Sequence, residues 1–150
     1  MVNSSPGPIL LVEDDSNDIL LMRRAFRRAQ IANPLQVVED GDAAVAYLSG
    51  QGDYADREHY PLPTLILLDL KLPRRSGLEV LEWLRQQSEV KRLPAVMLTS
   101  SRESSDINCA YDLGVNSYLV KPVAFDDLLG MIQTLNMYWI VFNEHPTEYK

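Results

Sequence analysis

Apolar residues in this chain fall into two alternating kinds of pattern. Short, predominantly apolar runs occur at Ile9–Val12, Leu35–Glu39, Leu65–Leu68, Ala95–Leu98 and Ser117–Val120. Each is a strand's length, and such runs read as strands with both faces covered. Between them, apolar positions recur at helical spacing. From Ser16 to about Gln30, at roughly 100° per residue, Met22, Ala25, Phe26 and Ala29 share one stripe, with Leu21 at its edge. Arg23, Arg24, Arg27 and Arg28 fill the opposite arc, with Leu20 among them and Ile19 beside them. That exposed apolar and basic mixture is either solvated or suited to docking an acidic partner.

Further helices are expected after Asp42 through Ala43–Leu48 and after Gly77, where Leu78, Leu81 and Leu84 line up. A fourth, the weakest, is expected from Ser104 to Leu113, with Gly114 as its stop. The last is long, carrying Phe125, Leu128, Ile132, Leu135 and Trp139 on one stripe. Ser49–Pro63 holds two Gly and two Pro among many charges and reads as a long loop. Five strands alternating with five helices predict a parallel α/β sheet, doubly wound with helices on both faces. Ligands of such folds sit at the carboxyl ends of the strands.

The residues at those ends carry the chemistry. The first strand ends in Glu13, Asp14 and Asp15, the third in Asp69, the fourth in Thr99 and the fifth in Lys121-Pro122. A lone charged carboxylate closing a buried run costs several kcal/mol, roughly, unless it is paired or solvated. Clustered carboxylates repel unless a cation or proton intervenes. Asp14 and Asp69 with a neighbour make an oxygen-rich site suited to Mg²⁺. Lys121 can bridge to a carboxylate or to a bound phosphoryl oxygen, and the Thr99 hydroxyl can donate to an oxygen of an added group.

Composition sets limits around this picture. A length of 150 residues suits one domain, and an apolar fraction of 46% with 23% charged residues is ordinary for a globular chain. The net charge of −7 argues against bulk electrostatic binding of nucleic acid. Cys109 is the single cysteine, so no internal disulfide forms. With no run of membrane-spanning length and no signal-peptide pattern at the start, a cytoplasmic location without membrane attachment is expected. His59 and His145 lie far apart and away from the cysteine, which gives no zinc pattern.

The set Glu13-Asp14, Asp69, Thr99 and Lys121-Pro122, in that order over the strand ends, resembles the receiver domains of two-component response regulators. The likeness covers about Ile9 to Trp139. It implies a flavodoxin-like (βα)5 fold with strand order 2-1-3-4-5. It also implies that Asp69 is the phosphoacceptor, taking a phosphoryl group from a partner histidine kinase. Asp14 and Asp69 would ligate Mg²⁺ directly, the Lys71 backbone carbonyl would be a further ligand, and Glu13 would act through water. Mn²⁺ or Ca²⁺ would substitute. Lys121 would contact the phosphoryl group, and its bond to Pro122 is expected to be cis. Thr99 and Tyr118 match the family's switch pair, biasing a surface made by the fourth helix, fifth strand and fifth helix. Asp15 has no family role to carry over and is expected to cap the first helix.

The patterns LLVEDD and LILLDLKLPRRSG, the long loop ending Tyr60-Pro61-Leu62-Pro63 and the tryptophan in the last helix are similar to the regulators partnered with cyanobacterial phytochrome kinases. That implies a phytochrome-type kinase, docking near the first helix. The expected organisation is a lead-in over 1–8, a receiver over 9–140 and an extension over 141–150, with no output domain and no direct DNA binding. Met131, Tyr138 and Phe142 lie on one flank of the last helix, an apolar surface that takes either the C-terminal tail or a second copy, and a homodimer there is the expectation. Two alternatives remain. One is a receiver-like interaction module that works without phosphorylation. The other is a phosphotransferase of the haloacid-dehalogenase type, which needs a second carboxylate where this chain has Lys71.

Overall fold

The computed structural model describes residues 6–146, and the expectations for the first five and last four residues lie outside them. Five parallel strands form one sheet: β1 (Ile9–Val12), β2 (Leu35–Val38), β3 (Leu65–Leu68), β4 (Ala95–Thr99) and β5 (Ser117–Val120). Their order is β2-β1-β3-β4-β5, the flavodoxin-like arrangement expected from the sequence. Five α-helices alternate with them: α1 (Ser16–Arg28), α2 (Gly41–Ser49), α3 (Gly77–Arg85), α4 (Ser104–Asp112) and α5 (Phe125–Leu135).

The period of two along each strand divides the core into two layers. Leu10, Val12, Ile66, Leu68, Ala95 and Met97 point to the face covered by Ala44, Tyr47, Leu81, Leu84 and Ala110 of α2, α3 and α4. Ile9, Leu11, Leu65, Leu67, Val96 and Leu98 point the other way, against Met22 and Phe26 of α1 and Leu128 and Ile132 of α5. Neither face of the central strands meets water, which is why their sequences are continuous rather than alternating. Each fully buried Leu or Ile contributes about 1.5–3 kcal/mol by this burial, so the sheet is a rigid platform for whatever its strand ends carry.

Helix boundaries differ from expectation where local capping decides them. The Asp15 side chain accepts the backbone N–H groups of Asn17 and Asp18, at 2.9 and 3.1 Å, so α1 starts at Ser16 as expected. It closes at Arg28 rather than Gln30, because Gln30 turns into the left-handed region at φ 56°. Asp40, not Asp42, caps α2, accepting Ala43 N–H at 2.7 Å. The last helix changes pitch after Leu135 and runs as a π-helical segment over Asn136–Phe142. The wider turn puts both Trp139 and Ile140 against the α1/α5 core layer, where a continued α-helix would separate neighbours by 100°.

The 49–63 segment is more ordered than its composition implied. A 3₁₀ turn over Gly52–Tyr54 leads into a cluster in which the Tyr47 ring lies 5.1 Å from Tyr54 and 5.9 Å from Tyr60. The Arg57 guanidinium donates to the carbonyls of Tyr47, Leu48 and Tyr60 at 2.7, 3.0 and 3.1 Å. It thereby ties the last turn of α2, through Tyr47 and Leu48, to the segment that follows at Tyr60.

Candidate functional site

The strand order reverses between β1 and β3, which places a crevice at their carboxyl ends. Their register pairs Val12 with Leu68, so the next residues, Glu13 and Asp69, leave the sheet side by side. Backbone Asp69 N–H donates to the Val12 carbonyl at 3.0 Å and holds that alignment one residue past the strand. Glu13, Asp14 and Asp69 each bring a carboxylate oxygen within 4.8 Å of the others. Glu13 is almost fully buried, at 2% exposure, and Asp69 nearly so, at 9%. Asp14 is exposed.

Gly77 fixes the far wall. Its N–H donates to the Leu70 carbonyl at 2.8 Å, and a Cβ there would stand 2.0 Å from the Asp69 carbonyl oxygen. Only a glycine lets the start of α3 approach the Asp69 backbone this closely. Ser76 caps α3 in a reciprocal box with Glu79, so the β3–α3 connection is held at both ends.

Lys121, carried in from the end of β5, is the cation of the site. Its ammonium donates to Glu13 Oε1 at 2.5 Å, Asp18 Oδ2 at 2.7 Å and Asp69 Oδ2 at 3.3 Å. The other oxygen of Asp69 accepts Leu70 N–H at 2.7 Å, and Glu13 Oε2 accepts Asp15 N–H at 3.1 Å. Burial pushes the Glu13 carboxyl up to about 7 and the nearby Asp69 charge adds to this, against the opposing pull of Lys121 and Asp15 N–H. Burial by itself would lower the Lys121 ammonium; hydrogen bonds to Asp18 and Glu13 and the charge of Asp69 outweigh it and hold the group above its ordinary value.

One ammonium pairs with three carboxylates, those of Glu13, Asp18 and Asp69, and Asp14 adds a fourth carboxylate beside Glu13 and Asp69. Two like charges about 4 Å apart repel by about 4 kcal/mol at an effective dielectric of about 20. The site therefore has more negative charge than Lys121 neutralises, and its donors are hard oxygens of the kind Mg²⁺ or Mn²⁺ takes. Lys71 lies at the mouth with Asp14, Leu72, Ser76 and Asp106, lining an open hollow of about 570 Å³.

Thr99 is buried at the end of β4, and its hydroxyl oxygen lies 3.4 Å from Ser101 N–H. Tyr118 packs its ring on the α2/α3/α4 core layer and donates its hydroxyl to the Ser101 carbonyl at 3.0 Å. The Lys121–Pro122 peptide was expected to be cis and is trans, as are all peptide bonds among the described residues. Lys121 N–H still donates to the Thr99 carbonyl at 2.8 Å, so the sheet pairing aims the lysine without the cis bend.

Glu13, Asp14, Asp69 and Lys121 thus come together at one edge, while Tyr118 lies apart from them, on Ser101 and the core layer. Two that matter there were not singled out for it. Asp18 stands in the first turn of α1, where an acid ordinarily only complements the helix dipole, yet it accepts the Lys121 ammonium. Asp106 had no distinguishing signal, because an acid in a first turn ordinarily only complements the helix dipole.

The model of the response regulator receiver domain matches residues 9–133. The chain belongs to this receiver family. Rcp1 of Synechocystis sp. is 41% identical over 138 residues, covering 92% of this chain and 92% of Rcp1. The Mn²⁺-bound form of Rcp1 superposes with a TM-score of 0.84 at 40% identity, covering 95% of this receiver and 100% of that chain. The phosphorylated cyanobacterial phytochrome response regulator RcpA gives a TM-score of 0.88 at 35% identity, covering 95% and 100%. The bacteriophytochrome response regulator RtBRR gives 0.75 at 46%, covering 96% and 86%. The receiver is thus a two-component signalling protein related to phytochrome response regulators. Among the described residues no helix is long and apolar enough to cross a membrane.

Proposed function

We propose that Asp69 accepts a phosphoryl group from the phosphohistidine of a sensor kinase, and that the kinase is of the phytochrome type. The observation that carries this reading is the convergence of Glu13, Asp14, Asp69 and Lys121 on one strand-end crevice. An Asp69 carboxylate oxygen forms a bond to phosphorus while the bond from phosphorus to the histidine nitrogen breaks. The electron pair leaves with the imidazole, which takes up a proton. The Lys121 ammonium, already 3.3 Å from Asp69 Oδ2, stands ready to meet the transferred oxygens, and Thr99 offers a hydroxyl beside them.

Asp14, Asp69 and the Lys71 carbonyl are the proposed ligands of Mg²⁺. Glu13 acts through water, in keeping with both its oxygens accepting protein hydrogen bonds. When bound, the ion adds the positive charge that the carboxylate excess calls for. Output runs through the α4–β5–α5 surface by way of Thr99 and Tyr118, without DNA contact by this domain. The kinase docks at α1, where Leu20 is 65% exposed among Arg23, Arg24, Arg27 and Arg28. The extended α5 carries exposed Met137, Tyr138, Val141 and Phe142, the surface through which two copies associate. Met131, expected on that flank, instead packs on the core.

Transfer of labelled phosphate from autophosphorylated phytochrome kinases tests the partnership. Label should move to the wild type within the first minutes and not to Asp69→Asn. Transfer only from kinases of other sensor classes would overturn the phytochrome assignment.

A further inference from the structure

The entry to α4 is held by an unusual bond. Glu103, the residue at its N-cap position, makes no side-chain capping bond. Ser101 takes over: its hydroxyl oxygen accepts Glu103 N–H at 3.3 Å and donates to Asp106 Oδ2, in the first turn of α4, at 2.6 Å. The same residue reaches in two other directions. Its N–H faces the Thr99 hydroxyl at 3.4 Å, and its carbonyl receives the Tyr118 hydroxyl at 3.0 Å. Among the described residues, Ser101 is thus the one bonded to Thr99, Tyr118 and α4 together.

The helix it holds has little else to fix it. Among the residues of α4 only Ala110 is buried, so its packing is a small fraction of that of α3, which buries Val80, Leu81 and Leu84. An element with few buried contacts opens at low free energy, and there a single short hydrogen bond to a carboxylate is a large share of what sets its position. Asp106 also lines the hollow at the mouth of the site with Asp14 and Lys71.

We propose that Asp106 is a positioning residue. Through Ser101 it latches the first turn of α4 and holds the Ser101 carbonyl where Tyr118 can reach it, coupling the phosphoacceptor crevice to the α4 face. The effect on phosphorylation rests on the reading of Asp69 above, whereas the latch itself does not.

Hydrogen exchange on the full chain without phosphoryl donor tests the latch. In Asp106→Ala and in Ser101→Ala the amides of α4 should exchange about tenfold faster, with no further gain in the double variant. Asp106→Asn, whose amide oxygen still accepts the hydroxyl, should stay near the wild type. A generic loss of helix stability would not show this non-additivity or this rescue. Unchanged exchange in Asp106→Ala, additive single effects, or failure of Asp106→Asn to rescue would each overturn the proposal. In a second arm, acetyl phosphate with Mg²⁺ should modify Asp106→Ala about fivefold more slowly than the wild type, with Asp106→Asn near normal. A wild type that takes no phosphoryl group would overturn the reading of Asp69, with the exchange arm still deciding Asp106. A wild type and Asp106→Ala modified at equal rates would overturn the coupling.

Discussion

Asp18 Oδ2 accepts the Lys121 ammonium at 2.7 Å, across the gap between the first turn of α1 and the end of β5. This pair decides how Lys121 is shared. The same ammonium binds Glu13 and Asp69, whose oxygens a divalent ion would also need. Asp18 draws the ammonium towards α1 and lessens that competition. In Asp18→Ala the ammonium concentrates on Glu13 and Asp69, and one negative charge is lost as well. Both effects weaken metal binding, by about threefold. Because Asp18 is one-third exposed, the cost in folding stability should stay below about 1 kcal/mol. Mg²⁺ titration followed by Trp fluorescence, with urea denaturation of both proteins, checks this; unchanged or tighter Mg²⁺ binding would contradict it.

The tyrosine cluster of the 49–63 segment gives a pH signature. Tyr47 is buried, donates its hydroxyl to the Pro61 carbonyl at 2.8 Å, and is pushed up to about 12 by that burial. An unfolded tyrosine ionises near pH ~10. Between those values the unfolded chain has released a proton that the folded chain keeps, so stability is full below pH ~10 and falls as pH rises towards about 12. Tyr47→Phe should cost about 1 kcal/mol near neutral pH from the lost hydrogen bond. It should also remove about 2 kcal/mol of the alkaline loss, seen as a flatter stability curve in that window. An alkaline limb identical to that of the wild type would count against the assignment.

Self-association through the extended last helix is a separate expectation. Tyr138, Val141 and Phe142 expose more than half their surface each, and a cluster of exposed apolar side chains marks an interaction surface. Sedimentation velocity should give a dimer, and Phe142→Glu should give a monomer whose phosphoryl uptake is unchanged. A wild type that stays monomeric at high concentration, with and without beryllofluoride, would exclude this interface.

Much of this arrangement was legible in the sequence because the sheet does the work of assembly. Parallel strands of nearly equal length deliver their last residues to one edge, so Glu13-Asp14, Asp69, Thr99 and Lys121 could be read together from their positions after apolar runs. What escaped reading depends on rotation and reach rather than on order. The turn of α1 about its axis brings Asp18, rather than solvent, to Lys121. The role of Asp106 follows from a loop that folds Ser101 back onto α4. Arg57 and Tyr47 order a segment whose composition looked like open loop, because each satisfies backbone carbonyls that no local pattern reveals. The change of pitch at Asn136 is set by where Trp139 and Ile140 find core to cover.

The central claim is that Asp69 is a reversible nucleophile in a carboxylate site that takes a divalent ion. Intact-mass spectrometry after incubation with acetyl phosphate and Mg²⁺ tests it most directly. The wild type should gain the mass of one phosphoryl group and lose it again on removal of the donor, and Asp69→Asn should gain none. A wild type that stays unmodified, or an adduct that persists undiminished in Asp69→Asn, would contradict the account.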